Sequence, residues 1–275
     1  MENTQCFEEA KKDSGVRNVL LTIEYDGTRL SGWQRQPLRR TVQGELERCL
    51  ARILGQEVRL AGVSRTDAGV HAYAQKASFA LQNSIPLPNL KIALNNMLSG
   101  GKSRNLESSD IRIIDVEGKP ANFHARFSSV GKKYIYRISN SLEDSVFERN
   151  YCYHVKKRLD VNSMRLAAQQ IVGTHDFACF QAAGSNPRET TVRTIYSLEI
   201  IKEQEDRIAV HIKGNGFLYN MVRIIVGTLV EVGYGKISES AVKEIIESKD
   251  RRNAGHTAPA AGLYLAEVYY EKTEL

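Results

Sequence analysis

Apolar residues along the chain switch between two spacings, and the switching comes in two rounds. Val19-Leu-Leu-Thr-Ile-Glu-Tyr25 reads as a strand ending at the turn pair Asp26-Gly27. Val42, Leu46, Cys49, Leu50 and Ile53 then recur at helical spacing, with Thr41 placed to cap the first turn and Gly55 just past the last. The pattern predicts strands over 58–63 and 75–81, a helix over 90–98 and a strand over 111–116. The second round opens on the strand-like Lys133-Tyr-Ile-Tyr-Arg-Ile138. A helix follows, with Met164, Ala167, Ala168 and Ile171 on one stripe, Asp160 as its cap and Gly173 as its stop. Strands over 194–201 and 208–213, helices over 221–232 and 241–246 and a last strand over 263–270 complete it. Each round is approximately β-α-β-β-α-β, the ferredoxin-like order. The pattern predicts an α+β duplication with residues 17–119 as one half and 120–275 as the other, joined near Pro120. Residues 1–16 carry no periodicity and read as a disordered tail.

Composition narrows the classes. Hydrophobic residues are 42% of the 275 and charged ones 25%, enough to bury sizeable cores. No stretch approaches the roughly 18 consecutive apolar residues of a membrane span. The polar opening segment lacks the marks of a signal or transit peptide, so a cytoplasmic location is expected. Cys6, Cys49, Cys152 and Cys179 stand far apart and the six histidines are scattered, which predicts neither a metal site nor a disulfide framework. No Gly-x-Gly-x-x-Gly run after a strand and no Walker loop is present, so no cofactor is predicted. The net charge is +6, and basic residues cluster at Arg35, Arg39 and Arg40, at Lys132 and Lys133, at 156–158 and at 249–252. One such cluster alone is a solvated face; together they suit a polyanion such as RNA, because phosphate contacts release counterions.

Two charged residues invite chemistry. Asp67 lies in Gly62-Val-Ser-Arg-Thr-Asp-Ala-Gly-Val-His71, a glycine-flanked loop after a strand. An aspartate there is either an acceptor for turn amides or a reactive carboxylate, and Arg65 stands two residues away. Arg223 is the only charged residue from 214 to 230, on a helix that is apolar nearly all round. A guanidinium so placed needs a carboxylate or an anion, since an unpaired buried charge costs about 3–5 kcal/mol. It forms either a structural ion pair or a functional one that holds Asp67 ionised between the halves. Tyr134 and Tyr136 share a strand face beside Lys132 and Lys133. Tyr134 suits stacking on a base splayed out of RNA, whereas Tyr136 reads as an ordinary strand tyrosine. Trp33, in Gly32-Trp-Gln-Arg-Gln36, either contacts RNA or anchors its turn, and His175-Asp176 reads as loop scaffolding.

In this order the motifs resemble the tRNA pseudouridine synthase A family. They are Glu24-Tyr-Asp-Gly27 with Gly32-Trp-Gln-Arg-Gln36, Arg65-Thr-Asp-Ala-Gly-Val-His71, and Phe123-His-Ala-Arg-Phe-Ser128 leading to Tyr134 and Tyr136. Gly173-Thr-His-Asp-Phe177, Gly214-Asn-Gly-Phe217, Met221-Val-Arg223 and Gly262-Leu-Tyr-Leu265 continue the series, so the likeness spans roughly residues 17–271. One departure is Leu30, where the family often carries an aromatic. The resemblance implies two ferredoxin-like halves related by a pseudo-two-fold, with sheets joined at a central cleft. It implies a homodimer acting without cofactor or metal on uridines 38–40 of the tRNA anticodon arm. It also implies Asp67 as the catalytic carboxylate, Tyr134 as the stacking tyrosine, Arg223 as the partner of the aspartate and Arg65 as a holder of the flipped-out nucleotide. Gln34, Arg35, Arg126, Lys132 and Lys133 are the expected RNA contacts. Rival readings are a family member with a different RNA target, a non-catalytic RNA-binding module, and a hydrolase using Asp67 with His71. The binding module would need the aromatic signature of RNA-recognition sheets, which the chain lacks.

Overall fold

A computed structural model describes residues 17–82, 84–100, 109–184 and 190–275; the tail expected over 1–16 lies outside them. In chain order the strands are β1 (Arg17–Tyr25), β2 (Ala61–Gly62), β3 (His71–Leu81), β4 (Ile111–Lys119), β5 (Gly131–Ser139), β6 (Tyr153–His154), β7 (Gly173–Asp176), β8 (Val192–Gln204), β9 (Arg207–Gly214) and β10 (Leu263–Tyr269). The helices are α1 (Val42–Leu54), α2 (Leu87–Leu98), α3 (Val161–Gln169), α4 (Met221–Gly233) and α5 (Ala241–Ser248). Among the described residues no helix is long and apolar enough to cross a membrane.

The local signals place these elements. The Thr41 side chain accepts the amide of Gly44 at the start of α1, and Gly55 closes the helix in the left-handed region at φ 69°. Asp160 accepts the amides of Asn162 and Ser163 at the start of α3. Apolar residues at alternate positions of β1 (Val19, Leu21, Ile23 and Tyr25) turn towards Val42, Leu46 and Leu50 of α1 in one core that also holds Tyr136, Ile212 and Leu265. A smaller cluster of Leu20, Val63 and Ala125 sits apart from it. Two details differ from the sequence pattern. Helix α3 ends at Gln169, and Gly173 opens β7 rather than stopping the helix. The strand expected over 58–63 pairs only through Ala61 and Gly62, while Val58 and Leu60 are buried in the core.

The fold is α+β, and its strands form one continuous sheet in the order β4-β1-β3-β10-β5-β9-β8-β7. Strands β4-β1-β3, with β2 on the far edge of β3, make a ferredoxin-like antiparallel set. Strands β10-β5-β9-β8 make a second set in the same order and the same sense. The sets are joined by a parallel contact of only two residue pairs, Tyr264 with His71 and Leu265 with Ala72. Past that contact the ladder between β3 and β10 stops: β3 pairs further along with β2, while β10 keeps β5 on its other edge throughout.

The chain from Val63 to Val70 runs through this fork, held by other loops. Val63 donates its amide to Lys76 O (2.9 Å), and Trp33 donates its amide to Thr66 O (3.0 Å). Gly32, at φ 84°, lies so close beneath that a Cβ there would stand 2.6 Å from Thr66 O. At Gly27 a Cβ would stand 2.1 Å from Val70 O. Trp33, 2% exposed, packs on Gly62; it is the anchor of its turn and not a surface contact. Gly27→Ala is therefore expected to push the 63–70 loop out of place, destabilising the fold by about 1–3 kcal/mol as overpacking does. Thermal melts and turnover should fall together; an alanine variant with unchanged melting and activity would show that this contact does not set the loop.

Candidate active site

The loop in the fork presents Asp67 to a residue from the other set of strands. Arg223 stands on the first turn of α4, and its Nη1 lies 3.5 Å from Asp67 Oδ2. Its Nε donates to Ala258 O at 2.7 Å, and Nη1 also donates to Asn220 Oδ1 at 2.8 Å. The guanidinium is thus fixed by the main chain and an amide, and it meets the carboxylate with one nitrogen rather than a parallel fork. A separation of 3.5 Å exceeds the roughly 2.7–2.9 Å of a tight charge-assisted bond. The side chains are 17% and 31% exposed, so the pair is partly wet.

Burial pushes the Asp67 carboxyl above the ordinary carboxylate range, and the charge and hydrogen bond of Arg223 offset only part of that. Arg223 acts towards the ionised form, as the sequence reading expected, but burial is the larger influence and the net shift runs the other way. Beside them Tyr134 is 7% exposed, with its ring edge-on to Phe217 at 5.1 Å between centroids. Burial pushes the Tyr134 hydroxyl up to about 12, against a hydrogen bond from Ser64, so it stays protonated near neutral pH. Arg65 is exposed at the rim. Arg65, Asp67, Tyr134 and Arg223 line one solvent-open cleft together with Phe217, Asn220 and Leu263.

The other expected contacts stand elsewhere. Lys132 donates to Val63 O at 3.1 Å, behind the loop, and Lys133 pairs with Glu267 at 3.2 Å. Gln34 donates to Gln43, and the exposed Arg35 pairs with the buried Glu47 at 3.2 Å. Arg126 is exposed beside the Phe127 ring. None of these five lines the cleft. His71 is buried and used in packing: Gly27 N donates to its Nδ1 (3.1 Å), its Nε2 meets Asn150 O (2.9 Å), and it stacks on Tyr264. Burial lowers its pKa despite the neighbouring Asp26; with both ring nitrogens occupied and the ring outside the cleft lining, it does not stand where a hydrolase using it with Asp67 would need it. Asp176 is scaffolding, accepting from Thr191 and Ala178 and pairing with Lys249. Among the described residues no group of three His, Cys, Asp or Glu comes together to hold a metal ion.

Four contributors escaped the sequence pattern. Asn220 adopts φ 58° at the start of α4 and accepts from Arg223. Ala258 supplies a carbonyl from a segment that Tyr136 holds by donating to Pro259 O at 2.7 Å. Tyr25 shares a 2.6 Å hydrogen bond with Thr66 Oγ1. Gln75, fully buried, binds Ser64. Only Asn220 carried a local signal, since asparagine tolerates the left-handed region at a helix start.

Known proteins share this pattern. A family model described as tRNA pseudouridine synthase matches residues 167–271. The tRNA pseudouridine synthase A of Ruminiclostridium cellulolyticum is 47% identical across 93% of this chain and 100% of its own length. That of Acetivibrio thermocellus is 48% identical across 93% and 100%. The tRNA pseudouridine synthase A 2 of Clostridium tetani is 47% identical across 93% and 99%. A chain in a solved Cbf5-Nop10-Gar1 complex aligns with 90% of this chain and 57% of its own length, at 8% identity and a TM-score of 0.35, too distant to bear on the argument.

The geometry fixes two outcomes. A carboxyl whose pKa is raised by folding adds stability below its unfolded pKa and loses it as pH rises through the folded value. At neutral pH Asp67→Asn should therefore melt no lower than the wild type, and a fall of several degrees would mean that the ionised carboxylate is a structural support. Arg223→Ala should raise the Asp67 pKa further, and Arg223→Lys should fall between the two. In a stability cycle, Arg223 and Asp67 should couple by about 0.5–3 kcal/mol and Arg223 and Asp176 by close to nothing. The reverse ranking would misplace the site.

Proposed function

The chain belongs to the tRNA pseudouridine synthase A family, an isomerase family acting on tRNA, and from that premise we propose Asp67 as its catalytic carboxylate and uridines 38–40 of the anticodon arm as its targets. The observation that carries the residue assignment is the cleft itself, where a partly buried carboxylate, a fixed guanidinium and a protonated aromatic face meet. Among the described residues Asp67 is the only acidic side chain in that lining.

The reaction breaks the bond from sugar C1′ to uracil N1, turns the base, joins C1′ to C5, releases the C5 proton and places a proton on N1. It is redox-neutral and isomeric, so the protein has to position the base and manage one charge. An ionised carboxylate serves in two ways, by attacking C1′ or by removing the 2′ proton. Arg223 stabilises the charge it carries, and the ring of Tyr134 lies where a flipped uracil would stack. Arg65 at the rim holds the displaced nucleotide. Gln34, Arg35, Arg126, Lys132 and Lys133 stand outside the cleft and belong in this reading to the wider RNA surface, which a homodimer would extend. The division into halves at 119/120 follows, with each half supplying one member of the Asp67–Arg223 pair. A cytoplasmic location completes the reading.

The reading makes a sharp demand on chemistry. With tRNA carrying tritium at uridine C5, tritium should pass to water while the nucleotide mass changes only by that exchange. Asp67→Asn should abolish the release while keeping tRNA affinity; release within about tenfold of the wild type, a difference of only about 1.4 kcal/mol in the barrier, would remove the assignment. Tyr134→Phe should bind tRNA better than Tyr134→Ala, since a stacked ring is worth about 1–3 kcal/mol. Equal binding by the two variants would remove the stacking role. Mapping the product nucleotides decides whether positions 38–40 are the targets.

A further inference from the structure

Gln75 lies on β3 where the sheet forks, and it is wholly buried. A buried amide without partners costs on the order of 1–3 kcal/mol, so its contacts explain its presence. Its Nε2 donates to Ser64 O at 2.8 Å, and its Oε1 accepts from Ser64 N at 3.3 Å and from Lys76 N at 3.2 Å. One side chain therefore satisfies both main-chain groups of Ser64. A neighbouring strand would do the same, but the pairing of β10 with β3 ends at Leu265 and Ala72, before this level.

Ser64 stands between the two groups that face the base. Its hydroxyl hydrogen-bonds that of Tyr134, and its main chain leads through Arg65 and Thr66 to Asp67. Thr66 is held from the β1 side by Tyr25, and Val63 by Lys132. At the level of Ser64 the amide of Gln75 replaces the missing strand. The geometry is length-specific and needs a donor: asparagine is one methylene short, and an ionised glutamate has no donor.

We propose that Gln75 is a positioning residue of the isomerisation, which by clamping Ser64 sets the distance between the Tyr134 ring and the Asp67 carboxylate. The proposal rests on the roles given above to those two residues. A displacement of about 1 Å at a reacting group costs about a hundredfold in rate, whereas RNA affinity is spread over a much wider surface. Loss of the clamp therefore separates turnover from binding.

The test uses the full-length protein and transcribed tRNA, measuring affinity and single-turnover product formation separately. Gln75→Leu should bind within about threefold of the wild type and turn over about 10–100-fold more slowly. Turnover within about threefold of the wild type overturns the proposal. Gln75→Glu provides the readout that packing alone does not move. Its neutral carboxyl donates to Ser64 O and accepts from Ser64 N, while its carboxylate only accepts and faces the Ser64 carbonyl. Tyr25 and Tyr134, pushed up by burial, stay protonated across the range, and the Lys132 side chain is turned to Val63 O, which leaves Asp67, present in both proteins, and the new carboxyl to titrate. The rate of Gln75→Glu relative to the wild type should therefore fall as pH rises. A ratio flat with pH overturns the proposal, even if the leucine variant fails to fold. Asp67→Asn is run alongside. Turnover by Asp67→Asn means that the site itself is misassigned, whereas an inert Asp67→Asn beside wild-type-like Gln75 variants rejects the clamp alone.

Discussion

Two residue pairs between β3 and β10 organise this molecule. Tyr264 with His71 and Leu265 with Ala72 join two antiparallel sets of strands into one sheet, and no third pair follows. Had the strands stayed together, the edge of β3 would be filled and the 63–70 loop would have no bed. Because they part, the sheet opens at its middle, and a loop carrying one acid is laid into the opening. The short β2, the buried Trp33 beneath Gly62 and the close approach of Gly27 to Val70 are responses to that opening. A sheet edge left bare inside a protein leaves amides and carbonyls without partners, and here the loop and its side-chain anchors supply them.

The same opening sets the electrostatics. Asp67 sits deep enough for burial to outweigh its guanidinium partner, yet open enough for solvent to reach it. A tighter ion pair would lower the carboxyl further and make it a poorer base. Complete burial would leave it protonated. Arg223 is held where it stands, because Ala258 O binds its Nε, Asn220 Oδ1 binds the same Nη1 that faces Asp67, and its own helix is packed on nearly every side. The 3.5 Å spacing is a property of how α4 meets the 254–259 segment, not of the two charged groups alone.

Whatever depended on local spacing was legible in the sequence. The caps at Thr41 and Asp160, the apolar stripe of α4 and the repeated element order all follow from neighbours in the chain. A lone arginine on an apolar helix announced its need for a partner, and the glycine-flanked loop announced an aspartate in special geometry. Features set by distant partners could not be read. The length of β2 depends on where β10 leaves β3, some two hundred residues later. Gln75 looks like any polar residue on a strand until Ser64 lies beside it. Lys133 looked like a free cation beside an aromatic strand, but Glu267 of β10 pairs with it. Tyr136 is buried outright rather than half-buried, because the 258–262 segment folds over it.

The position of β10 also orders events in time. Among the described strands it comes last in chain order and so is made after the others, yet it occupies the middle of the sheet, between β3 and β5. Until it arrives, a growing chain has two unjoined sheet edges facing one another, and the Asp67 loop has a floor on one side only. Such edges are open to mispairing with other chains. Leu263 at the start of β10 also lines the cleft, so the lining is whole only with this strand in place.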